Sequence, residues 1–193
     1  MRRANNNKGF TIIELAIALA VLSFAVIGIY NAFSNLIIAT TGISSRFTAA
    51  YLAQEGIEII RNMRDNNWLH PNPINPEDWL YGFDVCAGTV ESGGCEADYT
   101  TGTDNERTPL GPWTGEGNFL SINGYNLYGY DQNYPFTNFK RRIIIERIEK
   151  SISNPDGTSD VAVVGAKVIV TVYWYEKGAE YSIAAEDHLY NWY

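Results

Sequence analysis

The sequence is poor in the residues from which most catalytic and metal sites are built. It has two cysteines and two histidines. Two cysteines without histidine partners at zinc-like spacing do not supply four ligands. His70 and His188 fall in turn-like or terminal stretches, with no nucleophile pattern beside either. There is no glycine-rich phosphate loop and no basic patch interleaved with aromatics. The cation cluster Lys140, Arg141 and Arg142 reads as a solvated strand edge, which discourages edge pairing. Asp98, Asp104 and Glu106 form a loose acidic loop of the kind calcium favours, but their spacing matches no calcium motif. The formal charge of −8 argues against nucleic acid and anionic headgroups as partners outside any anchor. These absences predict a protein that is not an enzyme and holds no cofactor and no metal.

Charge and proline are also missing from the N-terminal region. No proline occurs between Met1 and Trp68, and Glu14 is the only charged residue between Lys8 and Arg46. From Phe10 to Phe33 only Thr11, Glu14, Ser23 and Asn31 are polar. That run matches the roughly 20 apolar residues a membrane-spanning helix needs. A carboxylate inside such a run costs about 2.5–3.5 kcal/mol on insertion scales, so Glu14 is a functional candidate. A plainer account is available, because an acid near a helix N-terminus gains roughly 0.3–1 kcal/mol from the macrodipole. Arg2, Arg3 and Lys8 precede the run and no acid does, which keeps the N-terminus cytoplasmic and exports the chain beyond Phe33.

The segment Lys8-Gly9-Phe10-Thr11-Ile12-Ile13-Glu14-Leu15 resembles the processing and methylation motif of type IV prepilins and pseudopilins. The resemblance implies cleavage after Gly9, N-methylation of Phe10, and use of Glu14 in filament assembly, against the α-ammonium of a neighbouring Phe10. A secretory signal differs, because its apolar region precedes the cut. Loss of residues 1–9 would remove three cations and no acid, taking the charge from −8 to −11. Many major pilins of this family carry a proline in the membrane helix. Its absence here, with Gln54-Glu55-Gly56-Ile57-Glu58 and the C-terminal Val168–Trp174 and Asn191-Trp192, is similar to the minor-pilin and pseudopilin branch.

Further along, Ile43, Phe47, Ala50, Ala53, Ile57, Ile60 and Met63 recur at helical spacing and predict an amphipathic continuation. Thr40-Thr41-Gly42 leaves a melt or kink open as the alternative. Asn66 and Asn67, with Pro71 and Pro73 after them, mark the helix end. Residues 70–118 form a long irregular stretch whose Trp79, Tyr81, Phe83 and Trp113 suggest an ordered insertion. Within it, export would favour a disulfide between Cys86 and Cys95, worth about 2–3 kcal/mol for so short a loop; two free thiols are the alternative.

The remainder reads as strands. Phe119–Ile122 and Tyr125–Tyr128 flank Asn123-Gly124, a hairpin signal. Phe139–Ile148, Ala166–Tyr175 and Tyr181–Ala185 come next, separated by turns at Asn154–Gly157 and Glu176–Ala179. The expected fold is therefore α+β, a long N-terminal helix packed on an antiparallel sheet, as in pilins. The expected organisation is a leader over 1–9, a transmembrane and assembly helix over 10–34, an amphipathic half over 35–66, and an exported globular domain over 67–193. The family resemblance implies other pilin or pseudopilin subunits, a prepilin peptidase, inner-membrane assembly machinery and lipid as partners. It places the chain in the inner membrane, then in a periplasmic or cell-surface filament. The rival reading is a bitopic anchor carrying an exported binding domain that never assembles.

Overall fold

The computed structural model describes residues 9, 11–70, 79–89, 93–102, 108–114, 117–153 and 159–191. Helix α1 runs Ile12–Leu69, and a 3-10 turn lies at Asp84–Cys86. Among the described residues, seven strands form one antiparallel sheet: β1 Cys95–Glu96, β2 Gly111–Pro112, β3 Phe119–Ile122, β4 Tyr128–Gly129, β5 Phe136–Ser153, β6 Ser159–Glu176 and β7 Ala179–Tyr190. The chain divides into two compact units, the first ending at Ser44 and the second beginning at Ser45, so α1 contributes to both.

In the first unit, α1 continues through Thr40 and Thr41. Their hydroxyls donate to the carbonyls of Leu36 and Ile37 at 2.8 Å, as Ser23 does to Leu19. Back-bonding of this kind satisfies a hydroxyl within the helix, so these residues do not break it.

In the second unit the sheet is organised around β5. One edge of β5 pairs with β3 and β1, and the other pairs with β6 from Phe139↔Trp174 to Ser153↔Ser159. Strand β7 lies outside β6. The β6–β7 turn places Lys177 and Gly178 at φ 52° and 81°, as a two-residue hairpin turn requires. The expected turn at Asn154–Gly157 lies outside the described residues. Val168, Val170, Val172 and Trp174 of β6 and Phe139, Ile143 and Ile145 of β5 share one buried face. Ala49, Leu52, Ala53, Ile57, Ile60 and Met63 of α1 complete that core. The helix face is thus turned from the expected one at its start. Ile43 and Phe47 are 55% and 62% exposed, and Ala49 and Leu52 are buried instead.

Helix and sheet approach tightly at Gly56. A Cβ there would sit 2.8 Å from Val170 Cγ1 and 3.1 Å from Arg141 Cδ. Glycine at this position is a packing requirement of the second unit.

Three expectations are corrected. Lys140, Arg141 and Arg142 are not a solvated edge, because β5 is interior to the sheet. Arg141 is fully buried on the helix side. Its Nη1 donates to Leu52 O at 3.0 Å and to Glu55 Oε2 at 3.1 Å, and its Nη2 to Ala97 O at 2.5 Å. Arg142 points to the opposite face, donating to Gly93 O at 2.8 Å and Thr89 O at 2.9 Å, with Trp113 5.9 Å from its guanidinium carbon. Lys140 lies over the Phe119 ring at 4.5 Å. Burial pushes the nearby Tyr130 phenol above its ordinary pKa. The Arg141 charge opposes that shift, and Glu96 and Asp98 add to it.

The second correction concerns Asn123-Gly124, which is not a two-residue hairpin. Ile122 pairs with Tyr128, and Asn123 Oδ1 accepts from the N–H groups of Tyr125 and Leu127 at 2.9 and 3.0 Å. The asparagine side chain captures the amides that a tight hairpin would place in a ladder. Third, Asn67 does not end the helix. Its amide donates to Trp79 O and Tyr81 O at 3.1 and 3.0 Å, and α1 continues to Leu69. The aromatic insertion is ordered where it is described, with Trp79, Leu80 and Phe83 in the core.

This packing sets two expected outcomes. Gly56→Ala should destabilise the second unit by about 1–3 kcal/mol, since Val170 is stiff at χ1 and cannot swing aside. Arg141→Ala should cost about 3 kcal/mol, and Arg141→Lys should recover less than half, because an ammonium cannot bridge Leu52, Glu55 and Ala97 together. Urea unfolding monitored by tryptophan fluorescence measures both. An Arg141→Lys variant as stable as wild type would contradict the bridging role.

Candidate functional site

The sequence points to the start of α1, and the local geometry there is a helix cap. Thr11 precedes the first helical residue, and its Oγ1 accepts the Glu14 N–H at 3.3 Å. The Leu15 N–H reaches Thr11 O at 3.2 Å. Thr11-Ile12-Ile13-Glu14 therefore has the threonine-to-glutamate spacing of a capping box. Glu14 lies in the first turn, where the helix dipole favours an acid. Its side chain is exposed, and among the described residues its carboxylate has no hydrogen-bond or ion-pair partner.

Gly9 is exposed, and no atom lies within 4 Å of where a Cβ would stand. Local packing therefore supplies no reason for glycine at this position. Phe10 lies outside the described residues.

Beyond the cap, the helix presents apolar surface on every side. Ile12 is 89% exposed and Phe24 76%, and the large side chains from Leu15 to Ile37 are all more than half exposed. By length and composition this helix can cross a membrane. Burying one such side chain is worth about 1.5–3 kcal/mol, so a surface of this kind is not left in water. Such a surface is of the kind that lipid or apolar helices cover, and Glu14 is the one charge between Lys8 and Arg46.

Cys86 and Cys95 form a disulfide, with both residues fully buried and their Cα atoms 4.5 Å apart. It joins the 3-10 turn to β1, which pairs with β5 at Cys95↔Ile143. Arg142 holds the carbonyls of Thr89 and Gly93 in the loop so closed. Sequence spacing identified the cysteines. The arginine that fixes the loop gave no signal beyond its charge.

The acidic loop is arranged for internal bonding. Asp98 Oδ1 accepts from the Thr100 N–H at 2.8 Å and the Thr100 hydroxyl at 2.6 Å, and Oδ2 from the Tyr130 N–H at 3.1 Å. Glu96 accepts both the backbone and side-chain N–H of Asn118, at 2.7 and 2.8 Å. These carboxylates anchor turns. Asp104 and Glu106 lie outside the described residues. His70 and His188 are far apart in the chain, and neither stands beside a nucleophile pattern.

Residues 4–30 match the family model of the prokaryotic N-terminal methylation motif. No curated protein and no solved structure matches the chain. The matched stretch contains Gly9, Phe10, Thr11 and Glu14, and ends inside the exposed apolar part of α1. That motif is the signature of type IV prepilins and pseudopilins, and with one apolar N-terminal helix and an antiparallel C-terminal sheet the chain is type IV pilin-like.

Proposed function

We propose that this chain is a minor pilin or pseudopilin subunit of a type IV filament system. The observation that carries this reading is the methylation motif at residues 4–30, joined to a helix whose apolar surface is exposed on all sides. A prepilin peptidase removes residues 1–9 by cutting after Gly9, and Phe10 becomes the N-methylated N-terminus. The subunit waits in the inner membrane with its C-terminal domain exported, and is then extracted into a filament by the assembly machinery. Head-to-tail contacts of this kind leave an open helical assembly. The absence of proline from the membrane helix favours a minor subunit over a major one.

In this mechanism Glu14 is the assembly residue. Its carboxylate receives the α-ammonium of Phe10 from a neighbouring subunit. An unpaired charge in a low-dielectric setting is costly, so a register that leaves either group alone is penalised. The open side of Glu14 supports the role, since nothing among the described residues competes for the carboxylate. Thr11 capping holds the first turn whether or not the neighbour has docked. The work done is structural; no bond in a substrate is made or broken by this chain.

Two measurements test the reading. Intact mass of protein purified from the envelope should lack residues 1–9 and carry one added methyl group. Met1 on the mature chain would instead favour a plain membrane anchor with an exported binding domain. Glu14→Ala should still be cleaved and should insert at least as readily, because a charge leaves the apolar run. Its share in sheared filaments should fall about tenfold or more at equal membrane abundance, which corresponds to roughly 1.4 kcal/mol of lost pairing. A capping or dipole role alone predicts unchanged incorporation.

A further inference from the structure

Among the described residues, β7 pairs with β6 alone and its outer edge meets no other strand. Asn191 N–H donates to Val164 O at 3.3 Å, one step beyond the Gly165↔Tyr190 pair. In an antiparallel ladder such bonded pairs alternate, so Leu189, Asp187, Ala185, Ile183 and Tyr181 face β6. The even-numbered residues turn their N–H and C=O groups outward. His188 agrees with this, since its N–H donates to Asp187 Oδ1 at 2.9 Å and not to β6. The outward backbone groups of Glu180, Ser182, Ala184 and Glu186 have no partner among the described residues. Edges are ordinarily blunted by proline, lysine or a bulge. The strand contains neither residue, and its register with β6 is unbroken from Ala179 to Tyr190.

We propose that β7 is a self-pairing edge, at which two copies of this chain join antiparallel with Ala184 of each opposite Ala184 of the other. A two-fold pairing must set outward residues against outward residues. Centred on Ala184, it uses nearly the whole strand. Glu180 then faces His188 of the second copy, and Ser182 faces Glu186. On the helix-facing side, Tyr181 meets Asp187 and Ile183 meets Ala185. Cross-strand pairs that hydrogen-bond, as the His188 imidazole and Ser182 hydroxyl can to Glu180 and Glu186, or that share apolar surface stabilise a sheet, and like charges directly opposite weaken it. Sliding the register by two residues one way puts Glu180 against Glu186. Sliding it the other way leaves Glu186 against Ala184 and Glu180 against Tyr190. Small exposed Ala184 at the centre lets the backbones meet. Charged side chains also blunt an edge. Glu180 and Glu186 find His188 and Ser182 opposite them, and Asp187 gives up the His188 N–H from Oδ1 while Oδ2 keeps Arg61 at 2.7 Å.

A two-fold axis normal to the sheet reverses every direction in its plane. The α1 segments over 45–69 would therefore run oppositely on the two halves of the joined sheet. On the filament reading, this is a contact between assemblies of opposite polarity, not between neighbours within one. The pairing itself does not depend on that reading.

The test uses the full chain in detergent micelles, with Ala184→Cys and Ser182→Cys compared under mild oxidation. The native cysteines are already bonded to each other. At the two-fold centre the paired Cα atoms lie about 5.5 Å apart, within disulfide reach. Two copies of position 182 would be offset by about 13 Å along the strand. Ala184→Cys should cross-link at least tenfold faster than Ser182→Cys. Equal rates, or no cross-link from Ala184→Cys, would overturn the proposal, equal rates being what association through the apolar helix gives. In sedimentation, Glu180→Lys should reduce the dimer fraction and Glu180→Lys with His188→Glu should restore it. A dimer fraction unmoved by Glu180→Lys would also overturn it. None of these readouts depends on cleavage at Gly9, so failure here leaves the processing result untouched.

Discussion

A buried arginine holds the second unit together. Arg141 sits on the central strand with no exposed surface, and its guanidinium reaches a helix carbonyl, a helix carboxylate and a loop carbonyl. Taking a charge out of water costs several kcal/mol unless hydrogen bonds replace the lost hydration. Leu52 O, Glu55 and Ala97 O are that replacement, and they come from the helix and from a loop far away in sequence. The positions of helix, sheet and loop are therefore coupled. Gly56, one residue after Glu55, allows α1 to come near enough for the bridge to close. Next along β5, Arg142 turns to the other face and fixes the disulfide loop. Two successive arginines thus secure both sides of one sheet, because alternate residues of a strand point to opposite faces.

The first unit obeys a different constraint. Its helix satisfies its own backbone, and its hydroxyls bond back to carbonyls a turn earlier. What it cannot satisfy alone is its apolar surface, and that need belongs to lipid or to other helices. Glu14 fits both situations. As the third helical residue it suits the positive end of the dipole, and its carboxylate, unpartnered among the described residues, suits a cation supplied from outside the chain. The cap and assembly roles of Glu14 are compatible, since the cap uses its backbone N–H and assembly would use its side chain.

Elsewhere, short polar side chains do the shaping. Asn67, Asp98, Glu96 and Asn123 each take up backbone groups that have no place in a helix or strand. Asn67, Glu96 and Asp98 in this way hold described parts of the chain between α1 and β3, where only two short strands occur among the described residues. Among the described residues β7 is the last strand on its side of the sheet, and there Asp187 covers the His188 edge amide.

Much was legible from residue order alone because it depends on local chemistry. Hydrophobic run length, the basic N-terminus, Gly9-Phe10 and Glu14 mark the N-terminal segment without any knowledge of packing. The β-branched run at Ala166–Tyr175 and the Lys177-Gly178 turn marked β6 and its hairpin, because side-chain branching and positive φ are properties of single residues. The cysteine pair was visible as a possibility, and its closure depended on the fold bringing the 3-10 turn beside β1. The misread features were those decided by distant partners. Arg141 and Arg142 looked solvated because carbonyls at Leu52, Ala97, Gly93 and Thr89 cannot be foreseen from a charge cluster. The helix face drifted at Ile43 and Phe47 because periodicity records which residues are apolar, not which of them the sheet covers. Asn67 and Asn123 carried turn chemistry whose targets lay elsewhere in space or in a competing local bond. Local propensity and the apolar run were written in the order of residues; burial of charge, register and edge exposure were settled only when segments far apart in sequence came into contact.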